Sequence, residues 1–198
     1  RPFVKLYRDE RELTIIFMVD ISASSHFGTV KKFKNEVAAE IAALLAYTAL
    51  RNNDKVGLII FSDKVEHFLA PKKGKAHIWR VIREILSFES EAKETNFDAP
   101  LDFLNKVMNR RTVTFLISDF KSVGFESKLR STSKHHDLIA LSISDPKELS
   151  LPNIGFIELE DAETGEAILV DTRNKKLMKE FALSAEKEML DRKKFFKN

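Results

Sequence analysis

Asp20, Ser22 and Ser24 alternate along the chain, so in an extended loop their side chains leave one side of the backbone and bring a carboxylate and two hydroxyls to one point. All three are hard oxygen donors. They suit Mg²⁺ (or Mn²⁺): magnesium prefers near-octahedral oxygen coordination, keeps several waters and takes only one or two carboxylates. Thr95, in Glu94-Thr95-Asn96-Phe97, offers a third hydroxyl, and Asp119 a second carboxylate, directly or through water. Asp20 and the pair Ser118-Asp119 each follow a continuous apolar run. An unpaired carboxylate at such a place costs several kcal/mol by desolvation, so each acid requires an explanation.

Each residue also has a plainer role. Thr95 with Asp98 fits a capping box that opens a helix, Ser22 and Ser24 fit turn positions, and Asp119 fits a strand-end acid satisfied by neighbouring donors. His26 follows the serine loop and would rim the site or stay exposed. His135 and His136 are adjacent, so in a strand they point to opposite faces and do not share a metal. Asp63 reads as a hairpin acid, and Trp79, beside an apolar stripe, as a core residue before a partly exposed contact surface. Glu158, Glu160, Asp161, Glu163, Glu166 and Asp171 form an acidic run read as a solvated hairpin ahead of a docking patch for a basic partner.

Composition removes other chemistries. The 198 residues contain no cysteine, which excludes disulfides, thiolate nucleophiles and Cys-based metal sites and agrees with a cytoplasmic location. The six glycines are never closer than ten residues, so neither G-x-G-x-x-G nor G-x-x-x-x-G-K-[ST] can be written. The longest mostly apolar stretch, Val37 to Leu50, carries Glu40 and falls short of the ~20 residues of a membrane span. The net charge of +3 is uneven: residues 172–198 hold nine basic against four acidic groups, and the preceding residues carry a net −2. Few aromatic residues interleave with these basic groups, Phe181 within the segment and Phe195 and Phe196 at its tip, so a solvated amphipathic helix is expected rather than a nucleic-acid surface.

The elements that must position the donors follow from two alternating periods. Leu13–Val19, Val56–Phe61, Val113–Ile117 and Leu138–Ile143 are short apolar runs of the kind buried on both faces of a parallel sheet. Val30–Leu50 places Phe33, Val37, Ile41, Leu44, Leu45 and Thr48 on one helical stripe, and Lys75–Phe88 repeats the pattern with Ile78, Val81, Ile82, Ile85 and Leu86. Further helices are expected over Ala99–Met108, Phe125–Ser133 and Asn174–Lys197. Val65–Leu69 follows Phe61 too closely for a parallel crossover and reads as an antiparallel edge strand. Gly155–Glu160 and Ala167–Asp171 read as a hairpin around Glu163-Thr164-Gly165. The expected fold is α/β, a doubly wound, mostly parallel sheet with helices on both faces, formed by residues 1–198 as one domain. Ligands of such sheets bind beyond the carboxyl ends of the strands, where Asp20 and Asp119 stand.

The order Asp20-x-Ser22-x-Ser24, Thr95, Asp119 resembles the metal-ion-dependent adhesion site of von Willebrand factor A domains. Arg1-Pro2-Phe3-Val4-Lys5, Arg8–Leu13, Glu36–Ala42 and Asn52–Asp63 resemble, over nearly the whole chain, the bacterial A-like proteins of domain of unknown function 58. The resemblance implies a sheet order of 3-2-1-4-5-6 and a metal held by Asp20, Ser22, Ser24, Thr95 and Asp119, with an open position for an acidic residue from a protein partner. It implies a binding module without catalytic activity, working beside a MoxR-type AAA+ ATPase. Members carry a further N-terminal part, and a start at Arg1 fits a piece of a longer protein.

Two other functions compete. A haloacid-dehalogenase-type phosphatase or phosphotransferase also opens with a strand ending in a nucleophilic aspartate, here Asp20, but needs a second acid where this chain has Ser22. Nucleic-acid binding through the basic C-terminal segment predicts steeply salt-dependent affinity.

Overall fold

A computed structural model describes residues 12–22, 34–88, 95–122, 124–145, 151–160 and 167–197. Strand β1 (Thr14–Asp20) is the centre of a five-stranded sheet in the order β3-β2-β1-β4-β5, with β2 (Lys55–Phe61), β3 (Val65–Lys72), β4 (Val113–Ser118) and β5 (Asp137–Ser142). All pairings are parallel except that of β2 with β3. The apolar runs are continuous because both faces are covered: Ile15, Phe17 and Val19 face one layer, Ile16 and Met18 the other.

Helices α1 (Lys34–Arg51) and α2 (Lys75–Ser87) cover the first face, and α3 (Asp98–Val107) and α4 (Glu126–Ser133) the second. The doubly wound α/β fold is as the sequence leads one to expect. One part of the expected order differs: no described strand extends this sheet beyond β5. Instead β6 (Phe156–Glu160) pairs antiparallel with β7 (Ala167–Asp171) in a separate sheet. Thr172 ties the base of this hairpin, donating through Oγ1 to the Gly155 carbonyl (2.7 Å) and accepting from the Gly155 N–H (2.9 Å). The tip at Glu163-Thr164-Gly165 lies outside the described residues.

Helix α1 presents a different stripe from the one expected. Ala38, Ala39, Ala42, Ala46 and Ala49 are buried, whereas Leu44 is 69% exposed and Thr48 faces solvent. Small side chains let the helix axis approach the sheet closely, and this outweighs burial of the larger residues on the flank. Trp79 is likewise 60% exposed on α2, so it is a surface residue. Helix α1 is stopped at Asn53, whose φ of 59° is the left-handed geometry asparagine tolerates after a helix end. Gly57 on β2 is required by close approach: an added Cβ would lie 2.8 Å from Ile16 Cδ1 and 3.0 Å from the Leu69 carbonyl oxygen.

Strand β3 runs to Lys72, past its expected end, because it is an outer strand on which Pro71 can sit without breaking an inner ladder. The C-terminal helix α5 (Lys175–Lys197) brings Phe195 and Phe196 against the second face. Among the described residues, no helix is long and apolar enough to cross a membrane.

Candidate functional site

The winding reverses between β1 and β4. From β1 the chain crosses through α1 to β2 on one face, and from β4 through α4 to β5 on the other, so the carboxyl ends of β1 and β4 flank the crevice where such sheets bind ligands. Val19 is paired with Ile117, so Asp20 and Ser118 end adjacent strands side by side. The Ser118 hydroxyl donates to Asp20 Oδ2 at 2.6 Å, and the Ser22 N–H to Oδ1 at 3.0 Å. Ser118 Oγ in turn accepts the Phe120 N–H at 3.0 Å.

Asp119 faces a different partner. Its Oδ2 lies 2.9 Å from the Lys34 ammonium, its Oδ1 accepts the Lys121 N–H at 3.3 Å, and its carbonyl accepts from the Arg192 guanidinium. Asp20, Ser22, Lys34, Ser118 and Asp119 are all buried. A cleft lined by Asp20, Lys34, Ala38, Ile117, Ser118, Asp119 and Ile143 opens here. Among the described residues no cation is ion-paired with Asp20. Burial pushes its carboxyl above the usual range, although the donors from Ser118 and Ser22 pull the other way, and the charge of Asp119 adds to the rise.

The loop after Asp119 is held in an unusual shape. Phe120 has φ 54°, a left-handed conformation that is costly for an aromatic residue. Its ring stacks on Phe97 at 5.6 Å with an interplanar angle of 1° and meets Phe125 and Phe196. This aromatic cluster joins the loops before α3 and α4 to the end of α5, and so fixes the backbone that carries Asp119.

The structure therefore brings Asp20, Ser22 and Asp119 to one end of the sheet. Ser24 and His26 lie outside the described residues. Thr95 is half-buried in the loop before α3, which is pinned to the end of β2 by the Asn96 N–H donating to the Ser62 carbonyl at 2.9 Å. No hydrogen bond joins Thr95 to either acid, and it forms no capping box: Phe97 is the N-cap of α3, and the Asp98 N–H goes to Asn96 Oδ1 at 2.8 Å. Asp63 accepts from Ser62 Oγ at 3.0 Å, as a hairpin acid should. Among the described residues no three of His, Asp and Glu cluster as a metal cage, so a cation at the crevice would depend on hydroxyl and water ligands as well as Asp20 and Asp119.

Three residues of the site were missed in the sequence. Ser118 was visible beside Asp119, but its bond to Asp20 needs the strand pairing. Lys34 had a signal, a lysine heading the alanine series at four-residue spacing. Arg192 had none, because its partner lies 73 residues away.

The model of the family described as protein of unknown function DUF58 matches residues 1–190. The chain belongs to this family. Relatives include the uncharacterized protein Mb1516 of Mycobacterium bovis, 28% identical over 167 residues, which are 83% of this chain and 53% of that protein. The chain thus spans about half the length of the curated relatives it matches. Among solved structures it is similar to the conserved hypothetical protein BatB of Bacteroides thetaiotaomicron, with a TM-score of 0.60 and 18% identity over 88% of this chain and 87% of that one. An aerotolerance-related membrane protein of Bacteroides fragilis matches equally, at TM-score 0.60 and 18% identity over 88% of each chain. At these identities the likeness concerns the fold.

Proposed function

We propose that this member of the DUF58 family is a von Willebrand factor A-like, divalent-cation-dependent protein-interaction module without catalytic activity. Asp20, Ser22, Ser24, Thr95 and Asp119 would hold Mg²⁺ or Mn²⁺, and the cation would offer an open position to an acidic side chain of a partner. The observation that carries the reading is Asp20: a buried carboxylate at the winding reversal, supplied with hydroxyl and amide donors and, among the described residues, with no ion-paired cation. The cation supplies directional affinity for a carboxylate. The chain's own residues would hold it in place, because Ser118 fixes the Asp20 carboxylate and the aromatic cluster around Phe120 fixes the Asp119 backbone. The family match and the fold shared with BatB support the A-like reading. We extend it to a cytoplasmic role beside a MoxR-type AAA+ ATPase, in assembly or regulation of its clients.

Calorimetry tests the core of this reading. Mg²⁺ binding is expected in the wild type and its loss in Asp20→Ala, and partner capture should fail both in chelator and in Asp20→Ala. Capture insensitive to both overturns the reading. One observation touches the phosphatase alternative: Lys34 places an ammonium beside Asp119, where a phosphate could be met. Ser22 still stands where that chemistry needs an acid, and hydrolysis of phosphomonoesters lost in Asp20→Asn is its requirement.

A further inference from the structure

We propose that Lys34 is a tethered counter-ion that competes with the divalent cation for the acidic strand ends, so that metal binds only by displacing its ammonium. The proposal rests on the metal-site reading above. Lys34 heads the buried face of α1, followed by Ala38, Ala42 and Ala46. A lysine is almost never fully buried unless it is paired. Its Nζ is 2.9 Å from Asp119 Oδ2, and the two side chains are 6% and 5% exposed. Asp119 Oδ1 already accepts the Lys121 N–H, so the pair engages both carboxylate oxygens of Asp119.

Charge decides the direction of the effect. With both carboxylates ionised, as a bound cation requires of them, Asp20 and Asp119 with Lys34 leave one net negative charge in the cleft that all three line. Adding a divalent cation with Lys34 still in place makes the cleft net positive, and places like charges within a few ångströms in a partly dry site. Without the ammonium the same cation brings the two carboxylates to neutrality. Like-charge repulsion at about 4 Å and an effective dielectric near 20 is large enough to change affinity well beyond tenfold. Removing the ammonium should therefore tighten metal binding, whereas a lysine that merely packs or orients Asp119 predicts weaker binding on its removal.

Mg²⁺ titration calorimetry on the wild type, Lys34→Met and Lys34→Arg separates these. Expected is an affinity at least tenfold higher in Lys34→Met than in the wild type, including binding where the wild type shows none, with Lys34→Arg close to the wild type. Measurable binding that is equal or weaker in Lys34→Met overturns the competition while leaving the metal site standing. Absence of Mg²⁺ binding in both proteins overturns the metal reading and this inference together. A second measurement needs no variant to fold. A buried, ion-paired ammonium exchanges protons slowly and gives a resolved ¹H–¹⁵N lysine signal; saturating Mg²⁺ should shift or abolish the Lys34 signal. An unchanged Lys34 signal at saturating Mg²⁺ overturns the proposal.

Discussion

Asp20 carries a cost that a cation would relieve. Its carboxyl is pushed up by burial, so the charged form is less stable in the folded than in the unfolded protein, and stability is lost as pH rises from the ordinary value of 3.8 through the raised one. Asp20→Asn keeps an oxygen for the Ser22 N–H, turns its NH₂ towards the Ser118 hydroxyl, which can accept, and removes the charge. Thermal melting without divalent cations should therefore show Asp20→Asn equal to or more stable than the wild type, and addition of Mg²⁺ should raise the melting temperature of the wild type alone. His136 acts in the opposite pH range. Its ring is buried, and Nδ1 accepts the Thr112 N–H at 3.3 Å, an arrangement only an unprotonated nitrogen allows. Burial, then the nearby charges of His135 and Arg111, hold its pKa below 6.5, against the pull of Asp137. The unfolded chain thus binds a proton that the folded one refuses, and stability falls as pH drops through 6.5 towards the lowered value. Denaturation at pH 7 and pH 5 should show that His136→Asn, which preserves an acceptor, loses less stability on acidification than the wild type.

At the scale of elements, α1 shows how a hydrophobic pattern can point to the wrong face of a helix. Leu44, Leu45 and Ile41 outweigh alanine in any hydrophobic pattern, yet the sheet accepts the alanine side because residues 38, 42 and 46 are small enough to pack closely in the cluster that also holds Phe17 and Leu58. Ala42→Leu should cost about 1–3 kcal/mol by overpacking, and Leu44→Ala should stay within about 0.5 kcal/mol of the wild type, as read by urea unfolding. Equal costs at the two positions would contradict the described orientation. The strands were legible almost to the residue because the two-faced burial of a parallel sheet writes a continuous apolar run, and the ends of those runs gave Asp20 and Asp119 their place. What was hidden depended on register and distance. The Ser118–Asp20 bond exists only because Val19 pairs with Ile117, and the aromatic cluster unites Phe97, Phe120, Phe125 and Phe196 from three separate segments.

For the molecule as a whole, the positive charge of the C-terminal segment proves less informative than its last aromatic residues. Arg192 grips the Asp119 carbonyl and Phe196 meets Phe120 at 4.9 Å, so α5 is attached to the loop that carries the second acid. Truncation after Asp171 should lower the melting temperature by several degrees and weaken Mg²⁺ binding, whereas a nucleic-acid module would lose only salt-sensitive binding. A truncated protein with unchanged melting and unchanged metal affinity would show that α5 is a dispensable tail. The outer strand β3 bears on how copies of this chain behave at high concentration. Pro71 has no N–H to offer, so an extended segment from another molecule, laid along that flank, finds a gap in the row of donors. A proline on an outer strand is one of the devices by which sheets discourage strand addition from other copies and the aggregates it seeds.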